Sequence, residues 1–132
     1  MAEHKCVNII LIETSTSLCS VALSQDGVIK SYRESAQTKA HASLTAPFVK
    51  EVLDECGLSI RECDAVCVSS GPGSYTGLRV GVSTAKGLCF GAGIPLLAVS
   101  TMDVLAEMGK DTECRFIVPM IDARRMEVYS AV

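Results

Sequence analysis

The sequence predicts an α/β fold, a mixed five-stranded sheet with helices on both faces in the order βββαβαβα, and three features predict it. Residues 65–90, AVCVSSGPGSYTGLRVGVSTAKGLCF, pass from a short apolar run through a glycine-rich turn into an apolar helical segment, the pattern of a strand-loop-helix unit. Residues 7–13, VNIILIE, are dense in Ile and Val and lead into an alternating segment with an Asp26-Gly27 hairpin signal. A further apolar run at 95–99 follows the helix, so parallel pairing is needed beside the hairpin. Short, uncrossed connections then put the first strand at the centre.

Taken in order, residues 7–13 read as a strand buried on both faces, followed by the polar turn TSTS. Residues 17–24 alternate as a second strand and 28–34 form a third. After a polar loop at 35–40, apolar residues at 44, 48, 49, 52, 53 and 56 recur at helical spacing, predicting a helix over 41–56 stopped by Gly57. Pro47 falls in its first turns or kinks it, because proline has no N–H for the Ser43 carbonyl. The strand at 65–69 ends at Gly71-Pro72-Gly73; Ser74 or Thr76 caps a helix over 77–90 that ends near Gly91. Residues 95–99 form a fifth strand. Ser100 or Thr101 caps a short helix with Asp103 near its positive end and Gly109 after it. Residues 116–121 and 127–132 read as strands joined by a DARR turn. A lone hairpin is marginal, so residues 1–110 are taken as a first domain and 111–132 as the start of a second, truncated at Val132.

The chain has 132 residues, 48% hydrophobic and 20% charged, which suits one globular domain of this size. A net charge of −3 argues against a broad nonspecific nucleic-acid surface on this chain but allows a place in an RNA-handling assembly. The seven cysteines include no C-x-x-C pair, and free thiols in a reducing compartment are expected. No run approaches membrane-spanning length, so a cytoplasmic protein is expected.

The helix at 77–90 is unusual. Gly77, Gly81 and Gly87 lie inside it, each costing about 1 kcal/mol relative to alanine. Its only charges are Arg79 and Lys86, so it needs cover on more than one side. One cover is the sheet; the other is a second helix or another protein. Gly77, Gly81 and Ala85, at spacing four, form a smooth stripe for close backbone approach, the alternative being a core helix tightened by glycine. The GPGSYTG loop has two readings as well: a structural turn, or an anion cradle at the positive end of the helix dipole. It lacks the Lys-Ser/Thr ending of a P-loop.

Three blocks in order, IETSTSLCSVALSQDG at 12–27, SSGPGSYTGLRVGVSTAKGLCFGAGIPLLAVSTMDVLA at 69–106 and IDARRMEVY at 121–129, closely resemble the bacterial TsaB proteins, once called YeaZ. The resemblance implies a ribonuclease H-like domain of the actin, sugar-kinase and heat-shock ATPase superfamily. It also implies a noncatalytic subunit that pairs with TsaD, the catalytic paralogue, in making threonylcarbamoyladenosine next to the anticodon of tRNA. TsaE, an ATPase, joins the same assembly; tRNA is met through the complex, and self-pairing uses a similar surface. No intrinsic cofactor is implied, and ATP or ADP would sit only at a complex interface. The implied pairing surface lies on the first two long helices, at His41, Leu44, Thr45, Phe48, Gly77, Val80, Gly81, Thr84, Ala85 and Leu88.

TsaD holds its metal through an H-x-x-x-H pair, and the matching positions here are His41 and Thr45. One ligand is missing, so no metal site is expected. Family members often carry Asp where this chain has Glu13, and the extra methylene is expected to push the carboxylate outward. The rival reading is a small-molecule kinase or ATPase, with phosphates held by Glu13, Thr14, Ser15, Thr16, Gly71, Gly73 and Ser74. No catalytic acid, Ser-His-Asp triad or zinc-ligand set is legible. Arg79, Arg124 and Arg125 are candidates for anion or partner contacts.

Overall fold

The computed structural model describes residues 3–37 and 39–131. Strands β1 (Asn8–Glu13), β2 (Cys19–Gln25) and β3 (Val28–Ser35) form an antiparallel meander. Strand β4 (Ala65–Ser69) pairs parallel with β1, and β5 (Leu96–Val99) pairs parallel with β4, giving the order β3-β2-β1-β4-β5. The apolar run at 7–13 is therefore central, as its density in Ile and Val predicts.

Helices α1 (Ala40–Glu55) and α2 (Tyr75–Ala92) cover one face, where Ile10, Ile12, Val21, Leu23, Val66 and Val68 pack with Phe48, Val49, Val52, Leu53, Ala85 and Cys89. Fully burying a side chain of the Val/Leu/Ile kind stabilises by roughly 1.5–3 kcal/mol, so this face holds the core. Helix α3 (Thr101–Met108) lies on the other face and is too short to cover it. A groove of about 550 Å³ remains there along Leu11, Ala22, Tyr32, Cys67, Val104 and Met108. The expectation that the first strand is buried on both faces is thereby corrected: Asn8, Ile10 and Ile12 are buried, whereas Ile9, Leu11 and Glu13 are only half-buried.

Helix α1 continues through Pro47, which lies well past its first turn. Helix α2 begins at Tyr75, two residues before the predicted start, because the Ser74 hydroxyl accepts the Gly77 N–H at 3.3 Å. It also runs through Gly91; Gly93, at φ 69°, takes the left-handed conformation that ends it. A short 3-10 turn at Ile60–Glu62, absent from the sequence reading, is closed by the Glu62 carboxylate accepting the Ser59 N–H at 2.6 Å. Its Ser-x-x-Glu spacing is visible in the sequence.

The tail hairpin differs from expectation. Strand β6 is Met120–Arg124, starting after Pro119 and running into the predicted turn, and β7 is Glu127–Ser130. Proline cannot donate to a ladder, which explains the later start. The Asp122 carboxylate accepts the Arg124 N–H at 2.7 Å, and the connection is tight, with Arg124, Arg125 and Met126 all at positive φ. Among the described residues the two strands pair only with each other.

Three carboxylates tie the periphery together. Asp26 accepts the Val7 N–H at 2.9 Å, Asp64 accepts the Asn8 N–H at 2.8 Å, and Glu55 accepts the Ser31 hydroxyl at 2.5 Å beside Arg33 at 2.8 Å. These bonds favour the ionised form and hold all three carboxyls below their ordinary values. A lowered carboxyl contributes stability that is complete above its unfolded pKa and is lost as pH falls through the folded one. The urea midpoint is expected to be insensitive to these groups between pH 5 and 7, roughly, and to decline below about pH 4. Asp64→Asn should shallow that decline; an unchanged slope would remove Asp64 from the account.

Candidate partner surface and adjacent cleft

The loop between β1 and β2 lies against α2, and small residues allow it. Thr14 is fully buried and its hydroxyl donates to the Gly77 carbonyl at 2.7 Å. A Cβ at Gly77 would collide with the Thr14 carbonyl oxygen, and one at Gly81 with the Thr14 hydroxyl. The stripe Gly77, Gly81, Ala85 therefore faces the chain's own loop and sheet, which corrects its assignment to a partner. Close backbone approach occurs as predicted, but inside the monomer.

Thr45 and Phe48 are corrected for the same reason. Thr45 is 1% exposed and its hydroxyl donates to the His41 carbonyl at 2.6 Å; Phe48 belongs to the core. His41, Leu44, Val80, Thr84 and Leu88 keep partial exposure. Val80 and Thr84 line a groove of about 420 Å³ between α1 and α2, together with Ala42, Thr76, Arg79 and Ser83. The Arg79 guanidinium lies over the Tyr75 ring, 5.4 Å from its centroid.

Farther along α2 the outer face carries Gly87, Phe90 and Gly91, none of which was singled out as an interface residue. A Cβ at Gly87 or Gly91 would meet none of the described residues within 4 Å, and Phe90 is 94% exposed. Their signal was angular. At about 100° per residue, Gly87 stands roughly 200° from Ala85 and so on the opposite side of the helix.

A second feature adjoins this surface. A cleft of about 770 Å³ lies between the β1–β2 loop, the start of α2 and the β6–β7 hairpin, with Asp122, Arg124 and Tyr129 contributed by the hairpin. Of the predicted phosphate residues, Ser15, Thr16, Gly73 and Ser74 line it, whereas Glu13, Thr14 and Gly71 do not. The Gly71 carbonyl instead accepts the Thr101 N–H at 2.9 Å. Two backbone donors near the start of α2 are already engaged: Ser74 N–H donates to the Ser15 carbonyl at 2.6 Å, and Gly77 N–H to its cap.

Glu13 also departs from expectation. Its side chain borders the groove on the α3 face and turns back rather than outward. One oxygen accepts the Ser15 N–H at 2.8 Å and the Ser15 hydroxyl, and the other accepts the Ser69 hydroxyl. The carboxylate thus staples the ends of β1 and β4. His41, in the first turn of α1, places Nε2 2.8 Å from the Thr16 carbonyl. A carbonyl only accepts, so Nε2 carries the proton.

Among the described residues no three His, Cys, Asp or Glu side chains gather as a metal set. Burial pushes the Cys63 thiol up to about 11 and also raises Cys67, so neither presents a ready thiolate.

This sheet order, with a helix pair on one face and a cleft at the loop end, is that of a ribonuclease H-like domain of the actin, sugar-kinase and heat-shock ATPase class. The family model for TsaD, tRNA N6-adenosine threonylcarbamoyltransferase, matches residues 18–132. Among curated proteins, the tRNA threonylcarbamoyladenosine biosynthesis protein TsaB of Haemophilus influenzae is 37% identical over 124 residues, 93% of this chain and 52% of the relative. That of Escherichia coli is 36% identical over 126 residues, 95% of this chain and 54% of the relative. The solved structure of YeaZ from Pseudomonas aeruginosa superposes with a TM-score of 0.85 at 34% identity, covering 94% of this chain and 58% of that one. The chain belongs to the TsaD family and, within it, to the TsaB (YeaZ) type. It spans about half the length of the curated relatives it matches. No helix among the described residues is long and apolar enough to cross a membrane.

Proposed function

We propose that this chain contributes a noncatalytic pairing subunit to threonylcarbamoyladenosine formation in tRNA, holding TsaD on the outer faces of α1 and α2. The observation that carries the reading is the free side of α2. Gly87 and Gly91 give up helix stability, yet none of the described residues lies within 4 Å of where their side chains would be. Phe90 between them is exposed, so the surface combines backbone accessible to a close partner with an aromatic anchor. A partner of the same family suits it, since a related domain carries a matching helix pair. TsaE and tRNA join through the assembled pair, and self-pairing competes for the same face.

The test is light scattering after size-exclusion chromatography on the full-length protein, alone and with TsaD from the same source. A heterodimer that displaces any homodimer is expected; a monomer indifferent to TsaD would overturn the reading.

The rival kinase or ATPase needs a carboxylate directed at phosphates and metal. Glu13 faces the opposite groove with both oxygens hydrogen-bonded. Accordingly, the full-length protein free of partners is expected to show no sustained ATP turnover with magnesium, and Glu13→Ala should leave that baseline where it is. Turnover abolished by Glu13→Ala would establish the enzyme instead.

A further inference from the structure

The β1–β2 loop touches the cleft and both helices of the proposed pairing surface. Its Ser15, Thr16 and Ser17 line the cleft. From the same stretch, the Thr14 hydroxyl donates to the Gly77 carbonyl, the Ser15 carbonyl accepts the Ser74 N–H, and the Thr16 carbonyl accepts the His41 Nε2–H. Three consecutive residues thus bind the N-terminal turns of α1 and α2. Thr76 adds a direct junction, because it lines both the cleft and the groove between the helices.

We propose that Thr14 is a positioning residue that couples the two sites: a partner seated on α1 and α2 tightens the β1–β2 loop and fixes the cleft wall. This rests on the pairing surface proposed above. The glycine contacts explain why the coupling is stiff. Without side chains at Gly77 and Gly81, Thr14 sits directly against the helix backbone, so α2 cannot shift without moving it. Linkage makes the effect reciprocal: a ligand that pairing makes the cleft hold more tightly would strengthen pairing by that same factor.

Ser15 provides the readout. It is 1% exposed and its N–H is bonded to Glu13, so a partner on the helices cannot cover that amide directly. Amide hydrogen exchange would be followed by NMR on the full-length protein, free and bound to TsaD. Pairing is expected to slow exchange at Ser15 by about tenfold along with the outer residues of α1 and α2. Thr14→Val keeps the shape but removes the hydroxyl donor; the slowing at Ser15 should fall below about twofold while the helices stay protected, and Thr14→Ser should restore it. A merely structural role would raise exchange equally in the free and paired states, leaving their ratio unchanged. Wild-type protein whose helices become protected while Ser15 exchanges at its free rate would overturn the coupling. A complex that leaves the helical faces unprotected would instead remove the pairing surface on which it rests.

Discussion

Gly81→Leu is expected to unfold the protein or destabilise it by at least about 3 kcal/mol. Gly77→Ala should also destabilise it, by roughly 2 kcal/mol, although alanine is the better helix former. At both positions the new Cβ meets Thr14, at the backbone oxygen for Gly77 and the hydroxyl for Gly81. Thr14 cannot move aside easily, because it is fully buried and bonded to the helix it would have to leave. The control lies in the same helix. Gly87→Ala adds its methyl to open space and should stabilise the isolated protein by about 0.5–1 kcal/mol. Thermal or urea unfolding of the three variants would test this opposition of sign. Equal effects at Gly81 and Gly87 would mean that the inner and outer faces are wrongly assigned.

Ser83→Arg is expected to weaken pairing with TsaD by about a hundredfold or more, while leaving unfolding of the free protein within about 0.5 kcal/mol of wild type. Ser83 is exposed in the groove between α1 and α2, so a long charged side chain is solvated when the protein is free. Seating a partner there would either bury that charge or hold the helices apart. Phe90→Ala tests the other end of the surface. Phe90 contributes little to the monomer at 94% exposure, but loss of a buried aromatic anchor typically costs about 2 kcal/mol of binding. Titration calorimetry with full-length partners would read both. Affinity unchanged by either variant would exclude this face of α2.

The strand order and the two long helices were legible because each rests on local periodicity: the dense run of β1, the Asp26-Gly27 turn, and the glycine break before α2. The direction in which α2 faces was not. Small residues occur on both its sides, at Gly77, Gly81 and Ala85 and again at Ser83, Gly87 and Gly91, so hydropathy could not choose between them. The choice is made by Thr14, 63 residues away from Gly77. Glu13 posed a similar difficulty, since its orientation depends on Ser69, 56 residues farther along. By contrast, Pro119 was in plain view and could have delayed the predicted start of β6.

The open glycines of α2 also bear on how readily the free chain opens at that helix. Gly87 and Gly91 give the unpartnered helix looser local stability than alanines would, by about 1 kcal/mol for an interior position. Exposed Phe90 lies in the same turn. Proteases and chaperones act on segments that open readily and show apolar side chains, so the surface proposed for pairing would also mark an unpaired chain for clearance. Assembly would conceal that surface, and the abundance of this protein would then follow that of its partner without a dedicated regulator.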